Sequence, residues 1–355
     1  MSDGSPAVQR AHELDAAGRH DDAINQLASA SQAGDFEAMT QLAKRIIVGD
    51  RAPRLMPQGF SLLSDAVKLG SAEAAERMAV VYATGITGTP DWQAALRLLV
   101  LAAERGWTPA YRQLDVLASM ASTEPASSGD CAQRSPASYL ADIHLRALLA
   151  RPEGFVLHAD PLVRHFPAFL NRRVCKWLID RARGKLTRAL VYDVVSQKDV
   201  ADDARTNSFA VFHNMEADLV HLMVQSRIAA ACGQPFSHLE ASTVLHYALG
   251  EEIVNHYDFV DPEKPGYDED IRRSGYRILT FLVYLNADYA GGETVFPKFG
   301  LNFRGQEGDG MYFVNTHANM HADLRTLHSG RPPTAGEKWV FSQFVRNRPG
   351  LATVS

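Results

Sequence analysis

The chain has 355 residues, 46% of them hydrophobic and 22% charged, with a formal net charge of −5. That length exceeds what a single hydrophobic core commonly organises, so two domains are expected. The charge balance, with no basic run, argues against nucleic-acid binding, and no apolar stretch reaches the length of a membrane span.

Met1 to His20 is polar and lacks the apolar core of an export signal. Cys131, Cys175 and Cys232 are too few and too scattered for a disulfide framework or a C-x-x-C metal knuckle. A cytoplasmic protein with reduced thiols is expected, with Cys175 and Cys232 as packing residues in helical patterns. The N-terminal third then repeats itself. Gly34, Gly70 and Gly106 are 36 residues apart, as are Ala38, Ala74 and Ala110, and Leu27, Leu63 and Leu99. Ala30, Ala66 and Ala102 keep the same register, as do Ile24, Phe60 and Leu96, and Leu42, Met78 and Leu114. A helix ending near the glycine, a short turn and a second helix satisfy this pattern. Each such unit must stack on neighbours to bury its apolar face. The pattern A-x-x-x-L-L-x-x-A-x-x-x-G-x-x-x-A-x-x-x-L resembles the Sel-like variant of tetratricopeptide repeats, which implies an all-α solenoid over residues 1–118 and a surface for protein or peptide binding.

Residues 119–138, with S-T-E-P-A-S-S-G-D, read as a linker. Beyond it, residues 139–355 form the second domain. Ala141 to Leu149 is a short helical pattern, Gly154 to His158 a strand, and Asn171 an N-cap for a helix to Arg183 with Gly184 past its end. Leu190 to Val195 reads as a strand and Ala217 to Ala231 as a helix. From Glu240 the pattern is mostly β, in short apolar runs broken by Gly, Pro, Asn and Asp. An α+β domain built around a jelly roll (a double-stranded β-helix) follows, and its mouth offers a dry cup.

One tripeptide in that region carries chemistry. His256-Tyr257-Asp258 places an imidazole and a carboxylate two residues apart, on the same face of a strand. Two histidines and one carboxylate make the facial triad of non-haem Fe(II), which leaves positions open for ligands. His328 is positioned to supply the second imidazole. Lys338, ten residues on and past a Pro- and Gly-containing bend, reaches in from what is expected to be the adjacent strand. A 2-oxo acid would chelate the iron, its far carboxylate would pair with Lys338, Thr280 and Tyr247 are the candidate hydroxyl partners, and O2 would bind last.

The region 160–348 resembles the prolyl 4-hydroxylase branch of the Fe(II)/2-oxoglutarate dioxygenases. The matching residues are Tyr247-x-x-Gly250, His256-Tyr257-Asp258, Arg277-x-x-Thr280-x-x-x-Tyr284-Leu285-Asn286, Gly291-Gly292-Glu293-Thr294-x-Phe296-Pro297, Asp323-x-x-x-x-His328-x-Gly330 and Gly336-x-Lys338-Trp339. The resemblance implies His256, Asp258 and His328 as iron ligands. Lys338, Tyr247 and Thr280 would bind 2-oxoglutarate, with O2 as cosubstrate and ascorbate supporting activity. It also implies hydroxylation of a prolyl residue in a peptide or protein, with release of succinate and CO2. The chain departs from the family pattern at Glu251, Ile253 and Phe344, where Gln, Tyr and Trp are common. These departures bear on the substrate, and keep open a hydroxylase of another amino acid or a small metabolite. A non-enzymatic repeat-based adaptor is the further alternative. His317 and His321 read as loop residues over the mouth, Gly291-Gly292 as a tight turn, and Asp261 to Asp270, followed by Arg272 and Arg273, as an acidic Pro-containing loop able to serve as a lid.

Overall fold

The computed structural model describes residues 4–120, 134–189, 191–193, 198–200, 204–213, 216–259 and 267–349. Most of the expected linker, residues 121–133 including Cys131, lies outside them, as do residues 260–266 of the charged loop. Two compact units emerge: Met1–His144 with Asn214–Leu222, and Leu145–His213 with Met223–Ser355. No helix of the described residues is long and apolar enough to cross a membrane.

The first unit opens with α1 (Pro6–Ala16), α2 (His20–Gln32), α3 (Phe36–Val48), α4 (Met56–Lys68), α5 (Ala72–Thr84), α6 (Trp92–Glu104) and α7 (Thr108–Ser119). Helices α2, α4 and α6 begin at 20, 56 and 92, and α3, α5 and α7 at 36, 72 and 108, so the sequence period is a period of helix pairs. Leu27, Leu63 and Leu99 are buried between helices, and Ala38, Ala74 and Ala110 let the backbones approach. Between paired helices, Gly34, Gly70 and Gly106 take φ of 89°, 108° and 84°, a left-handed step that only glycine takes without strain. The next helix is then nucleated by a side chain. Asp35 accepts from the N–H groups of Glu37 and Ala38, and Ser71 from that of Ala74.

The second unit begins with α8 (Leu145–Leu148), β1 (Phe155–Ala159), β2 (Leu162–Phe166), α9 (Arg172–Arg183), β3 (Thr187–Arg188), β4 (Val191–Asp193), β5 (Lys198–Val200) and β6 (Ser208–Phe212). Helix α10 (Leu219–Cys232) is followed by β7 (Ser242–Tyr247), β8 (Ile253–His256), α11 (Tyr267–Ser274), β9 (Arg277–Tyr284), β10 (Ala290–Gly291), β11 (Thr294–Phe296), β12 (Leu301–Phe303), β13 (Gly310–Val314), β14 (His328–Gly330), β15 (Pro333–Ala335) and β16 (Lys338–Arg346). The expected helix over 141–149 is instead a 3-10 turn at Pro136–Ala141 and the single turn of α8. Asn171 caps α9 through the N–H of Val174, whereas Gly184 stays right-handed at φ −80°.

Strands pair antiparallel into a large sheet, in order β1-β2-β13-β9-β16-β7-β6-β3, and a small one, β12-β11-β14-β8. Leu245, Tyr247, Leu282, Tyr284, Met311, Phe313 and Val340 of the large sheet pack in one core with Ile253 and Phe296 of the small one. This is the jelly roll expected from the strand pattern. Its short strands put the ends of β8 and β14 at the rim of the core. Cys175 is buried on α9, and burial pushes its thiol and that of Cys232 well above the ordinary range, so both stay protonated packing groups.

Candidate active site

His256 is the last residue of β8 and His328 the first of β14, and the antiparallel register pairs them directly. Cross-strand partners project to the same side, so the rings meet with centroids 4.3 Å apart. Asp258 lies just beyond the end of β8 rather than within it. Its two carboxylate oxygens stand 3.4 Å from the Nε2 atoms of His256 and His328 respectively. The three candidate ligand atoms all fall within 4.8 Å of one another.

The tautomers follow from the backbone. His256 Nδ1 lies 2.9 Å from the carbonyl of Val254, and His328 Nδ1 lies 3.0 Å from that of Thr326. A carbonyl only accepts, so each Nδ1 carries a proton, which leaves Nε2, the ring nitrogen facing Asp258, as the one available to a metal. Cis ligands with bonds of about 2.1 Å lie roughly 3 Å apart, and one donor atom from each residue already lies within 4.8 Å of the others, so a modest closure brings the three onto one ion. Two imidazoles and one carboxylate with space left over is the donor set of Fe(II) oxygenases. The residues present therefore fit the implied iron.

Burial would raise the Asp258 carboxyl, but His328 and His256 outweigh it and hold the group well below the carboxylate range. Burial would lower His256, yet the Asp258 charge raises it. Aromatic rings wall the buried His328, with Phe313 at 4.7 Å and Phe296 at 5.4 Å between centroids.

Lys338 is buried to 2% exposure at the start of β16. It was expected on the strand adjacent to His328, but β14 belongs to the small sheet and β16 to the large one. The ammonium therefore enters from the other wall. Its register partner is Tyr247 on β7, whose ring lies 5.0 Å from Nζ, and the ring of Tyr284 lies 5.6 Å away. Gly292 makes room for it: a Cβ there would come within 3.2 Å of Lys338 Cδ and 2.8 Å of the Tyr289 ring. Among the described residues no carboxylate forms an ion pair with Lys338. Burial pushes its pKa down to about 7, against the pull of Glu293.

Thr280 does not join Lys338. It is level with Phe344 on β16, six residues beyond Lys338 and roughly 20 Å along the strand at the usual rise. Its hydroxyl instead donates to Asp258 Oδ2 at 2.8 Å and accepts from Asn315 Nδ2 at 3.0 Å. The residue of β9 that does reach the lysine is Tyr284, whose hydroxyl bonds Thr294 Oγ1 at 2.8 Å. The sequence motifs contain Tyr284 and Thr294 without assigning either to the site. Tyr284 shares a face with Thr280 by the strand period of two, and Thr294 follows the Gly291-Gly292 turn, so the signals were present.

Other candidates are placed away from ligand roles. His317 and His321 stand exposed, joined by a hydrogen bond from His317 N–H to the His321 carbonyl. Ile253 is buried in the core, and Phe344 lies 3.9 Å under the Arg277 guanidinium.

The family described as the 2OG-Fe(II) oxygenase superfamily matches residues 242–346. The Arabidopsis thaliana protein "Probable prolyl 4-hydroxylase 7" is 30% identical over 203 residues, covering 52% of this chain and 62% of that protein. "Probable prolyl 4-hydroxylase 9" of the same plant is 31% identical over 210 residues, covering 54% of this chain and 71% of that protein. The chain thus spans under two thirds of the first relative's length. Among solved structures, a viral collagen prolyl hydroxylase from Paramecium bursaria Chlorella virus-1, in its 2OG complex, is similar with a TM-score of 0.40 and 22% identity, over 52% of this chain and 94% of that one. From its sequence relatives and the ordered motif around the triad, the chain belongs to the 2OG-Fe(II) oxygenase superfamily, in its prolyl 4-hydroxylase-like branch.

Proposed function

We propose that the protein is an Fe(II)- and 2-oxoglutarate-dependent dioxygenase that hydroxylates a C–H bond of a prolyl residue in a peptide or protein, releasing succinate and CO2. The observation that carries this reading is the convergence of two histidine nitrogens and one buried carboxylate oxygen within 4.8 Å. When bound, Fe(II) couples the oxidative decarboxylation of 2-oxoglutarate by O2 to hydroxylation of the substrate. His256, Asp258 and His328 would hold the metal. Lys338 supplies the cation for the distal carboxylate of the cosubstrate, in a pocket so dry that the charge is strongly felt. Tyr247 lines that pocket. Ascorbate supports turnover, the helical repeats hold part of a protein substrate, and the setting is cytoplasmic.

A second reading is favoured by Ile253. Its burial in the core means that this position offers no hydroxyl to the mouth where prolyl hydroxylases commonly carry tyrosine. A different amino acid or a small metabolite would then be hydroxylated. Two measurements decide. Purified protein with Fe(II), 2-oxoglutarate and ascorbate should release succinate, and His256→Ala should not; equal output from both sinks the enzyme reading. Mass spectrometry of peptide libraries and endogenous proteins should find one added oxygen on proline, and oxygen on another residue or a free metabolite would replace the prolyl assignment with the second reading.

A further inference from the structure

We infer that Thr280 and Asn315 are positioning residues for the metal, which aim the Asp258 carboxylate across the gap between the two sheets. This deepens the dioxygenase reading and rests on it for the identity of the metal.

The two histidines need no outside help. They are register partners in one sheet, and each ring is tied to its own backbone two residues back. Asp258 is different. It lies beyond the end of β8, where no ladder hydrogen bond fixes its side chain. Left alone, the carboxylate would turn about its Cβ–Cγ bond and face either histidine or neither. The large sheet supplies the fixed point. Thr280 sits on β9, flanked on both sides by β13 and β16, and is 1% exposed. A hydroxyl has one proton to give. Because the Asn315 amide donates to Oγ1, that proton is left for Asp258 Oδ2. Asn315 is itself fully buried at the end of β13's ladder, its N–H donating to the Ile278 carbonyl at 2.9 Å. Asn315 Oδ1 is buried without a partner among the described contacts, so the amide's bonding is directed to Thr280. The relay runs one way, from Asn315 through Thr280 to Asp258.

A 2-oxoglutarate contact for Thr280 would need the same hydroxyl proton and a place beside Lys338, and it has neither. The relay therefore acts on metal affinity rather than cosubstrate affinity. Loss of such an outer partner of a ligand typically costs 10–100-fold in metal affinity.

The test is anaerobic equilibrium titration of the full-length apo-protein with Mn(II), followed by 2-oxoglutarate titration at saturating Mn(II). Thr280→Val keeps the branched shape and removes the hydroxyl. It should weaken Mn(II) about 10–100-fold and leave 2-oxoglutarate affinity in the metal-saturated protein unchanged. Thr280→Ser should restore wild-type Mn(II) affinity. Asn315→Ala, which frees the hydroxyl to point elsewhere, should give a smaller loss of the same kind, and it carries the test if Thr280→Val does not fold. Wild-type Mn(II) affinity in the folded Thr280→Val or Asn315→Ala proteins overturns the proposal. So does a loss confined to 2-oxoglutarate, which returns Thr280 to the cosubstrate. If wild type binds Mn(II) and the variants weaken it, yet no succinate is formed, the relay stands and the dioxygenase reading falls.

Discussion

His328 and Lys338 are ten residues apart and nearly equally buried, at 5% and 2% exposure, but their surroundings are opposite. Around His328 the Asp258 charge is met by polar groups of the protein. Asp258 faces two imidazoles, each imidazole has a backbone acceptor, and Thr280 and Asn315 complete the set. Around Lys338 there are aromatic rings and no ion pair among the described residues, and burial pushes the ammonium down to about 7. The metal end is a connected polar network built from both sheets. The anchor end carries an unfavourable charge that an anion would relieve. Damage at the first should therefore abolish binding without gain, whereas damage at the second should improve the empty protein while ruining it for ligand.

The largest effect is expected at the metal end. His328→Ala removes one of three donors and opens a hole beside the packed Phe313 and Phe296 rings. Succinate release should fall below detection, and Mn(II) binding should be lost in the same protein. Retained metal binding would mean that the triad is not the site.

Lys338→Met probes the other half of the comparison. The variant keeps the volume and removes the charge. Affinity for 2-oxoglutarate should fall by about 3 kcal/mol, more than a hundredfold, because a buried carboxylate loses its partner. Mn(II) affinity should hold. Stability of the empty protein should move the other way. The folded lysine titrates at about 7, the unfolded one near its ordinary value of about 10.4. Between these values the unfolded chain binds more protons than the folded one, so wild-type stability rises with pH across the window, and the burial penalty is complete below it. Urea unfolding at pH 6 should find Lys338→Met more stable than wild type by roughly 2–4 kcal/mol, with the gap closing toward pH 10. A gap that does not change with pH would show that the lysine is not held in this way.

How much of this was legible in the sequence differs between the same two ends. The triad could be read because H-x-D is a local signal, and a second histidine in a motif completes it. The pairing of His328 with His256 needed only that the two strands meet. The helical pairs were legible because the 36-residue period repeats the same glycine, alanine and leucine positions in each unit. The anchor end was harder. A strand period of two puts Thr280 and Tyr284 on one face but does not say which end of β9 lies beside Lys338. That is fixed by the β9–β16 register, a pairing between segments far apart in the chain. The sheet that carries Lys338 was misassigned for the same reason: β14 and β16 are close in sequence, but β15 intervenes and pairs with β10. Asn315 belongs to no motif, and only its burial and its bond to Thr280 single it out.

The smallest effects separate the two tyrosines beside Lys338. Both are buried, and burial pushes both phenols far above the ordinary range, so each stays protonated. Their hydroxyls are committed differently. Tyr284 bonds Thr294, itself 4% exposed, whereas the Tyr247 hydroxyl makes no hydrogen bond among the described residues. Removing the first leaves Thr294 buried without its partner, so Tyr284→Phe should cost about 1–2 kcal/mol of stability in the empty protein. Removing the second breaks nothing there, so Tyr247→Phe should be within about 0.5 kcal/mol of wild type. With ligand the order should reverse. A hydroxyl free to donate to the cosubstrate is worth about 1 kcal/mol when lost, so Tyr247→Phe should weaken 2-oxoglutarate about fivefold, and Tyr284→Phe should change it less. Urea unfolding and cosubstrate titration of both variants read the two quantities separately. If Tyr284→Phe instead takes the larger loss of affinity at unchanged stability, the Tyr284–Thr294 pair opens to receive the ligand, and Tyr247 is a packing residue alone.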